Sequence, residues 1–358
     1  MKPLKYYLSP HFFLKFVEGK LVLWDYKNHN QFLIKDAYLQ RLTEISHEKE
    51  GSSSPLDKEL LSLNIITESP PEPSAWKWDV LSQIYHLGVQ DLAMPSTEST
   101  EEWIADYIHF CKGLDVTPET FFVELEGEKI TLPKPEPEKY LSTPLWETFK
   151  KRKTSRNFDG MSISLPLLST LLYAAFGLIH GDWNEEENAP FLRLGFRKSY
   201  PSAGAVHPVE AYVIAMNVEG LEQGIYHYSS HTHQLIKRGN PLSSQELIKL
   251  LGGQFFAKGI AAGIFLVGHF EKAWSKYKHS RSYRDIFLEA GHGSQNFLLA
   301  ATAANLKTWV TAYFFDSAVS DKLHLTAEIE APLIFLGIGH GDASSIPQKI
   351  INHLTKNK

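Results

Sequence analysis

One stretch, Ser199–Met216 (SYPSAGAVHPVEAYVIAM), limits what this chain can fold into more than any other. In its first half, residues Pro201 to Ala205 have small side chains or a fixed φ. Pro208 then ends this half. Its second half, Val209–Met216, is apolar and alternates as a buried strand does. The stretch therefore predicts a tight turn that leads into a core strand. An ordinary structural turn explains this pattern, but such a turn also lets a flat ligand approach the backbone.

The composition is typical of a globular protein with a sizeable core. Hydrophobic residues make up 43% and charged residues 22% of the 358 residues, and the net charge of −5 gives no reason to expect nucleic acid or an anionic membrane as a partner. Signal-peptide and membrane-span patterns are missing from the sequence. The single cysteine, Cys111, excludes an internal disulfide framework. We therefore expect a soluble, cytoplasmic protein.

Residues 1–70 predict a small α+β module that resembles a winged helix. Two runs, Phe12–Val17 and Lys20–Asp25, predict a hairpin, and Asn30–Lys35 predicts a third strand. Helical spacing of apolar residues predicts helices over Ala37–Ile45 and Leu56–Ile66.

Two proline-rich stretches, Glu68–Ser74 and Leu132–Pro137, divide the rest of the chain. Residues 71–139 are predicted to be a helical and linker region, with an amphipathic helix over Trp76–Asp91. Residues 140–358 are predicted to be the catalytic domain. Predicted helices and strands alternate there, which favours an α+β sandwich; they cover Thr143–Arg152, Ser164–Phe176, Val209–Met216, Gly224–Lys237, Gly259–Phe270, Arg284–Leu306, Thr308–Phe314 and Pro332–Ile338.

A basic segment, Arg152–Phe158 (RKTSRNF), alternates cations with hydroxyl groups. Such groups can grip a phosphate through charge-assisted and neutral hydrogen bonds, although a solvated basic helix end explains them equally. A second signal is the pair Gly291 and Gly293, because two glycines inside a predicted helix cost roughly 2 kcal/mol relative to alanine. This cost indicates close packing, as at a subunit interface, or the close approach of a ligand.

Three histidines, His227, His231 and His233, lie close together near a predicted hairpin turn. No carboxylate or fourth ligand stands beside them in the sequence, so we expect exposed turn residues and no metal site. The dinucleotide fingerprint, the P-loop and the G-x-S-x-G nucleophile motif are also missing.

The segments from about residue 140 to 342 together resemble the nitroreductase superfamily of flavoproteins. Within it they are most similar to the SagB-type dehydrogenases, which oxidise azoline rings in ribosomally made, post-translationally modified peptides. The matching stretches occur in the family's order: RKTSRNF (152–158), SLPLLSTLLYAAFGL (164–178), YPSAGAVHPVEAYV (200–213), GIYHYSSHTHQL (224–235), KYKHSRSYRDIFLEAGHGSQNFLLAATAANL (276–306), TAYFFD (311–316) and EAPLIFLGIGH (330–340).

The resemblance implies an α+β fold, with a central antiparallel or mixed sheet flanked by helices, and FMN bound non-covalently at the interface of a homodimer. It assigns roles to ten positions. The FMN phosphate and ribityl chain would face Arg152, Thr154 and Arg156; the isoalloxazine ring would lie beside Pro201, Ser202, Ala203 and Gly204, with Asn296 nearby; and its N5 side would meet main-chain groups of Ala312 and Tyr313. The chain departs from the family at two positions, since the family usually has glycine in place of Ala312 and often arginine in place of His340, and neither change removes the core signature.

The resemblance also implies that the pair Lys276–Tyr277 is catalytic. Oxidation of an azoline to an azole removes two electrons and two protons, so a base must accept a ring proton. A lysine beside an apolar flavin pocket can have a lowered pKa and serve as that base, with the tyrosine as its partner. The competing interpretation is an ordinary surface pair, because the surrounding segment is polar and basic.

The hypothesis from the sequence is an FMN-dependent dehydrogenase that converts peptide thiazolines or oxazolines to azoles. Its expected partners are a modified precursor peptide and a cyclodehydratase. The N-terminal module would bind a leader peptide by strand addition, or else only cover the catalytic core or extend the dimer. Two alternatives stay open, namely an NAD(P)H-dependent nitro- or quinone reductase on the same fold and a scaffold subunit that binds peptide without catalysis.

Overall fold

The computed structural model describes residues 5–47, 54–92, 99–113, 122, 125–180, 197–342, 344 and 346–356. The chain divides into two compact units, Met1–Ser96 and Thr97–Lys358. The segment predicted as a helical linker, 71–139, is therefore shared between the units. In the described part of the chain, every helix is too short or too polar to cross a bilayer.

The first unit consists of short strands and helices around a small apolar core that includes Leu60 and Ile66. Its elements are β1 (Tyr7–Leu8), β2 (Phe12–Val17), β3 (Lys20–Asp25), β4 (Asn30–Leu33), α1 (Asp36–Ser46), α2 (Pro55–Ser62), β5 (Ile66–Thr67) and α3 (Val80–Gly88). The predicted hairpin is confirmed, and Glu18 and Gly19 form its turn with φ values of 49° and 77°. Strands β2, β3 and β4 form an antiparallel sheet in that order.

Two helix predictions in this unit were wrong at their ends. The helix predicted to reach Ile66 stops at Ser62, because Asn64 adopts a left-handed φ of 55° and the chain continues into β5, which pairs with β1. The helix predicted from Trp76 begins at Val80. Asp79 caps it there, since its carboxylate accepts hydrogen bonds from the amides of Leu81 and Ser82.

The second unit is an α+β structure built on a seven-stranded antiparallel sheet, which confirms the predicted fold class. The sheet order is β13-β14-β12-β8-β10-β11-β6. The elements are α4 (Thr100–Lys112), β6 (Lys129–Thr131), α5 (Pro137–Tyr140), α6 (Leu145–Lys151), β7 (Ile163–Ser164), α7 (Leu165–Phe176), β8 (Val209–Ala215), β9 (Val218–Glu219), β10 (Gly224–Ser229), β11 (Gln234–Gly239), α8 (Ser244–Leu250), β12 (Ala262–His269), α9 (Phe270–Lys276), α10 (Ser282–Ala303), β13 (Lys307–Thr311), α11 (Asp316–Leu323), β14 (Glu330–Gly339) and α12 (Gln348–Lys356).

Helices cover both faces of this sheet. On one face α7 and α10 pack together, and the buried side chains of both helices join the core formed by alternate residues of β8. Helix α7 begins as predicted, with the Ser164 hydroxyl accepting from the amide of Leu167 and Pro166 in the first turn. On the other face α8 and α11 contribute to a second core around Trp309 and Phe335. Both faces are thus buried, and function must be sought at the ends of the strands.

The register of the strands brings several of these ends together. Gly268 pairs with Val209, and His269 pairs with Glu330, so β8 begins, β12 ends and β14 begins at one end of the sheet. We call this the turn end, because the turn within Ser199–Met216 leads into β8 there. Strand β13 runs in the same direction as β12 and stops at Thr311, opposite Phe335.

Candidate active site

The turn before β8 is held in a strained conformation. Gly204, Ala205 and His207 have left-handed φ values of 58°, 55° and 48°. For the two residues that carry a side chain, this conformation costs on the order of 1 kcal/mol each. The Ser202 hydroxyl accepts a hydrogen bond of 2.9 Å from the amide of His207 and closes the turn. Such strain persists only where surrounding groups hold the chain in place.

Buried side chains supply that support just past the turn. The amide of Val209 donates to Oε1 of Glu289 on α10, and its carbonyl accepts from Nζ of Lys198, each at 3.4 Å. The carbonyl of Pro208 accepts from the amide of His269 at 2.8 Å. Burial lowers the pKa of Lys198 to about 8, although nearby carboxylates, chiefly that of Glu289, oppose the shift. The turn is therefore fastened to α10 and β12 by groups with little exposure to solvent.

Lys276 and Tyr277 lie directly against this turn. Lys276 is the last residue of α9, is only 5% exposed, and donates from Nζ to the carbonyl of Gly204 at 3.2 Å. A Cβ atom added at Gly204 would lie 2.6 Å from Nζ of Lys276 and would also overlap the Tyr277 hydroxyl. The backbone of the turn and the two side chains are thus in contact, and the surface interpretation of Lys276 was wrong.

Asn296 on α10 reaches the start of the same turn. Its Nδ2 donates to the carbonyl of Ser199 at 3.1 Å and to the Ser199 hydroxyl at 3.0 Å. Three residues before it in the chain, at Gly293, a Cβ would lie 3.2 Å from the ring of Tyr200, whereas one at Gly291 would meet no atom of the described residues within 4 Å. Close packing therefore explains Gly293 but leaves Gly291 without an explanation inside one chain. The role of Asn296 toward a cofactor stays a prediction, and its visible role is to tether Ser199.

The basic segment lies along the edge strand β13. Thr154 pairs with Thr308 in a parallel bridge, and the amide of Ser155 donates to the carbonyl of Thr308 at 2.8 Å. Arg152 immediately follows α6, and the Arg156 guanidinium lies 5.3 Å from the centre of the Phe256 ring.

Ser155 supplies a test of whether this segment suits an anion. Its hydroxyl is buried and has no hydrogen-bond partner among the described residues. A buried hydroxyl without a partner is costly, and a phosphate oxygen beside two arginines would satisfy it. The segment therefore fits the phosphate that the resemblance implies. Thr154 was predicted to be a site residue and Ser155 was not, although the alternation of hydroxyls with cations indicates both.

The segment after β13 is exposed at Ala312 and Tyr313. The amide of Tyr313 donates to the Thr311 hydroxyl at 3.0 Å, and its carbonyl accepts from Nε2 of Gln254 at 2.7 Å. Both main-chain groups of Tyr313 are therefore already engaged. The contact of this pair with flavin N5 stays a prediction.

The predicted residues thus form two groups. The first group comprises the turn from Pro201 to Gly204, the Lys276–Tyr277 pair and Asn296. The second comprises the segment from Arg152 to Arg156 and the Ala312–Tyr313 segment, on and just past β13. Strands β14 and β12 separate β13 from β8, which corresponds to about 14 Å at the usual spacing between strands.

A buried ionic cluster beside the first group was missed in the sequence. We define it as Glu210, His227, His269, Lys272 and Glu330. The expectation that His227 is an exposed turn residue was wrong, because it lies buried in β10 with Nε2 at 2.5 Å from Oε2 of Glu210. His233 is also not a free turn residue, since its ring contacts the hydroxyls of Ser169 and Tyr228. Strand pairing, invisible in one sequence, brings the carboxylate of Glu210 to His227.

Comparison with known families bears directly on this arrangement. The model of the nitroreductase family matches residues 149–340, which is more than half of the chain. The chain belongs to the nitroreductase family. The match includes both groups of residues and confirms the resemblance inferred from the ordered segments.

Three curated relatives of this nitroreductase-family chain are informative. The nitroreductase-like protein MJ1384 of Methanocaldococcus jannaschii is 29% identical over 189 residues, which cover 53% of this chain and 87% of that protein. The microcin B17-processing protein McbC of Escherichia coli is 33% identical over 145 residues, 38% of this chain and 52% of McbC. The trifolitoxin-processing protein TfxB of Rhizobium leguminosarum bv. trifolii is 32% identical over 142 residues, 38% of each chain. The match thus spans about half of McbC and little more than a third of TfxB.

A solved structure has a similar fold. The crystal structure of a protein from Anabaena variabilis, described as a nitroreductase, has a TM-score of 0.50 at 23% identity and covers 70% of this chain and 49% of that one. The E. coli microcin synthetase McbBCD complex with truncated pro-MccB17 bound contains a chain with a TM-score of 0.46 at 21% identity, covering 73% of this chain and 92% of that one.

Proposed function

We propose that this protein is an FMN-dependent dehydrogenase that oxidises thiazoline or oxazoline rings in a ribosomally made peptide. The observation that carries the proposal is the buried Lys276 with Tyr277 against the Gly204 turn. A buried amine is the kind of group whose proton affinity a protein can adjust for catalysis. Two relatives, McbC and TfxB, are named as microcin B17-processing and trifolitoxin-processing proteins, which supports a processing role on a ribosomally made precursor.

The two groups of site residues suit the two ends of FMN. Arg152, Thr154, Ser155 and Arg156 would hold the phosphate and ribityl chain, because they offer two cations and hydroxyl donors. The turn from Pro201 to Gly204 would lie beside the ring, since it presents small side chains and backbone. Bound FMN would supply the hydride acceptor that the oxidation needs.

In this proposal the residues of the chain position the azoline and manage its protons. The Nζ atom of Lys276, in its neutral form, would take the ring proton, and the Tyr277 hydroxyl would share a hydrogen bond with that amine. The carbonyl of Gly204 orients Nζ through the 3.2 Å hydrogen bond. Burial of Lys276 would keep water from competing for the proton.

We expect Arg156→Gln to weaken FMN binding by about 10- to 100-fold, because one charge-assisted hydrogen bond to phosphate contributes roughly 1.5–3 kcal/mol. Titration of the apoprotein with FMN, followed by quenching of flavin fluorescence, measures this effect. Lys153→Gln is the matched control, since Lys153 is an exposed cation in the same segment. Equal FMN affinity in the Arg156 variant and the wild type would contradict the phosphate assignment.

The proposal includes a homodimer and a peptide-binding first unit. Exposed apolar side chains lie on two packed helices of the second unit, with Leu145, Trp146 and Phe149 on α6 and Tyr283, Phe287 and Leu288 on α10. An apolar surface of this kind typically contacts a partner, and Gly291 lies on α10 as well.

In the first unit, β2 is an edge strand that exposes Leu14 and Phe16. Such a strand suits the addition of an extended peptide strand.

One preparation tests the whole proposal. We expect the purified protein to show flavin absorbance, to sediment as a dimer and to convert an azoline-containing peptide to a product lighter by two hydrogen atoms, as read by mass spectrometry. Rapid bleaching of the flavin by NAD(P)H with turnover of a nitroaromatic, and no change in the peptide, would instead support a reductase. A preparation without flavin that still binds peptide would support a scaffold.

A further inference from the structure

Helix α9 carries two lysines, Lys272 and Lys276, four residues apart and therefore on one face. Both reach the same part of the chain. Nζ of Lys276 donates to the carbonyl of Gly204 in the turn, and Nζ of Lys272 donates to Oε1 of Glu210, two residues past Pro208. The lysine face of the helix is thus fastened at two points to one turn and the strand that follows it.

Glu210 is also held by two histidines. His227 on β10 approaches its Oε2 atom at 2.5 Å, and His269 at the end of β12 approaches the same atom at 3.5 Å. The other ring nitrogen of His269 lies 2.9 Å from Oε1 of Glu330 on β14. Although burial by itself would raise it, the pKa of Glu210 is held well below its ordinary value by Lys272, His269 and His227. These groups therefore favour the charged form of the carboxylate that accepts the hydrogen bond from Lys272.

The cluster is an unusual way to stabilise a fold. A largely buried ion pair is often no more stabilising than apolar residues of the same size, so its benefit lies in fixing one geometry. Helix α9 needs such fixing, because it has only seven residues and a short helix is marginal without tertiary contacts. Because Lys276 is the last residue of α9, fixing the helix also fixes the position of Lys276.

We propose that Lys272 and Glu210 are positioning residues for Lys276, holding α9 in the register that places Nζ of Lys276 against the turn. This inference rests on the proposed function, because it assumes that Lys276 is the base. Lys272 and Glu210 take no part in proton transfer, and they act through the helix and the strand.

The test uses Lys272→Met, Lys272→Arg and the control Lys278→Met, an exposed lysine in the same segment. In the holoenzyme, Lys272→Met should lower kcat for azoline oxidation about 10- to 100-fold, with KM for the peptide and FMN content unchanged. Lys272→Arg should recover most of the loss, and Lys278→Met should behave as wild type. In the Lys276→Ala background, Lys272→Met should cause no further loss, because a positioning residue has no effect once its target is gone.

If Lys272→Met lowered kcat by the same factor in the Lys276→Ala background, the inference would be overturned. A wild-type kcat in Lys272→Met would also overturn it. A second measurement does not depend on catalysis. In the apoprotein, Lys272→Met should speed hydrogen exchange of the amides of residues 273–277 at least about tenfold, whereas exchange in β12 should not change. Unchanged hydrogen exchange in residues 273–277 would also overturn the inference. This measurement stays decisive if full activity of Lys276→Ala has overturned the proposed function. Where Lys272→Met does not fold, the charge-balanced double variant Glu210→Gln/Lys272→Met replaces it in both measurements.

Discussion

A Lys276→Ala protein is expected to remain yellow with FMN but to oxidise an azoline peptide at least about 100-fold more slowly than the wild type. Positioned general bases contribute on the order of 10²- to 10⁴-fold to a rate, and the amine of Lys276 is held against the turn by its hydrogen bond to the carbonyl of Gly204. The side chain of Lys276 contacts the turn without supporting either core, so flavin content should stay near that of the wild type. Single-turnover oxidation of the peptide, followed at the flavin absorbance, measures the rate.

Lys278→Ala is the matched control, because Lys278 is exposed and lies two residues away. We expect it to keep both flavin and rate. Tyr277→Phe should give an intermediate loss if the hydroxyl assists the amine, since the ring and its packing are kept. An azoline oxidation rate equal to that of the wild type in a flavin-loaded Lys276→Ala protein would remove the catalytic assignment, whatever the fold.

Much of the fold could be predicted because its determinants are local. The β2–β3 hairpin followed from two apolar runs around Glu18–Gly19, and the start of α7 followed from Ser164 and Pro166. The errors occurred where a single local group decides a boundary. Asp79 starts α3 three residues after Trp76, and the left-handed Asn64 separates α2 from β5.

The site could be predicted only in part, because its members meet through tertiary structure. The residue types of Arg152–Arg156 and of the turn indicate a phosphate and a flat ligand by themselves. The approach of Lys276 to Gly204 joins residues 72 positions apart, and only the family resemblance connected them in advance. Nothing local in the sequence indicates that Glu210 pairs with His227, since that contact depends on the register of β8 and β10.

Gly204→Ala should reduce catalysis far more than stability. The new side chain would cost about 1 kcal/mol for the left-handed φ of 58°, and its methyl group would overlap the Tyr277 hydroxyl and lie 2.6 Å from Nζ of Lys276. Because that atom is the end of a flexible side chain, the amine will move and the backbone will not. A displacement of the reacting group by about 1 Å can cost about 100-fold in rate, so kcat should fall by roughly 10- to 100-fold while the melting temperature falls by only a few degrees.

Gly160→Ala separates these two effects. Gly160 has a φ of 82°, and among the described residues a Cβ atom there would meet only the Cα of Gly259, at 4.0 Å. The control therefore carries the same kind of backbone penalty, with space for the methyl group and no contact with the lysine. Urea denaturation should give similar losses of stability for both variants, whereas peptide turnover should fall only for Gly204→Ala. Equal peptide turnover in the two variants would mean that the position of Nζ of Lys276 does not affect the reaction. The turn would then stabilise the fold without a role in catalysis.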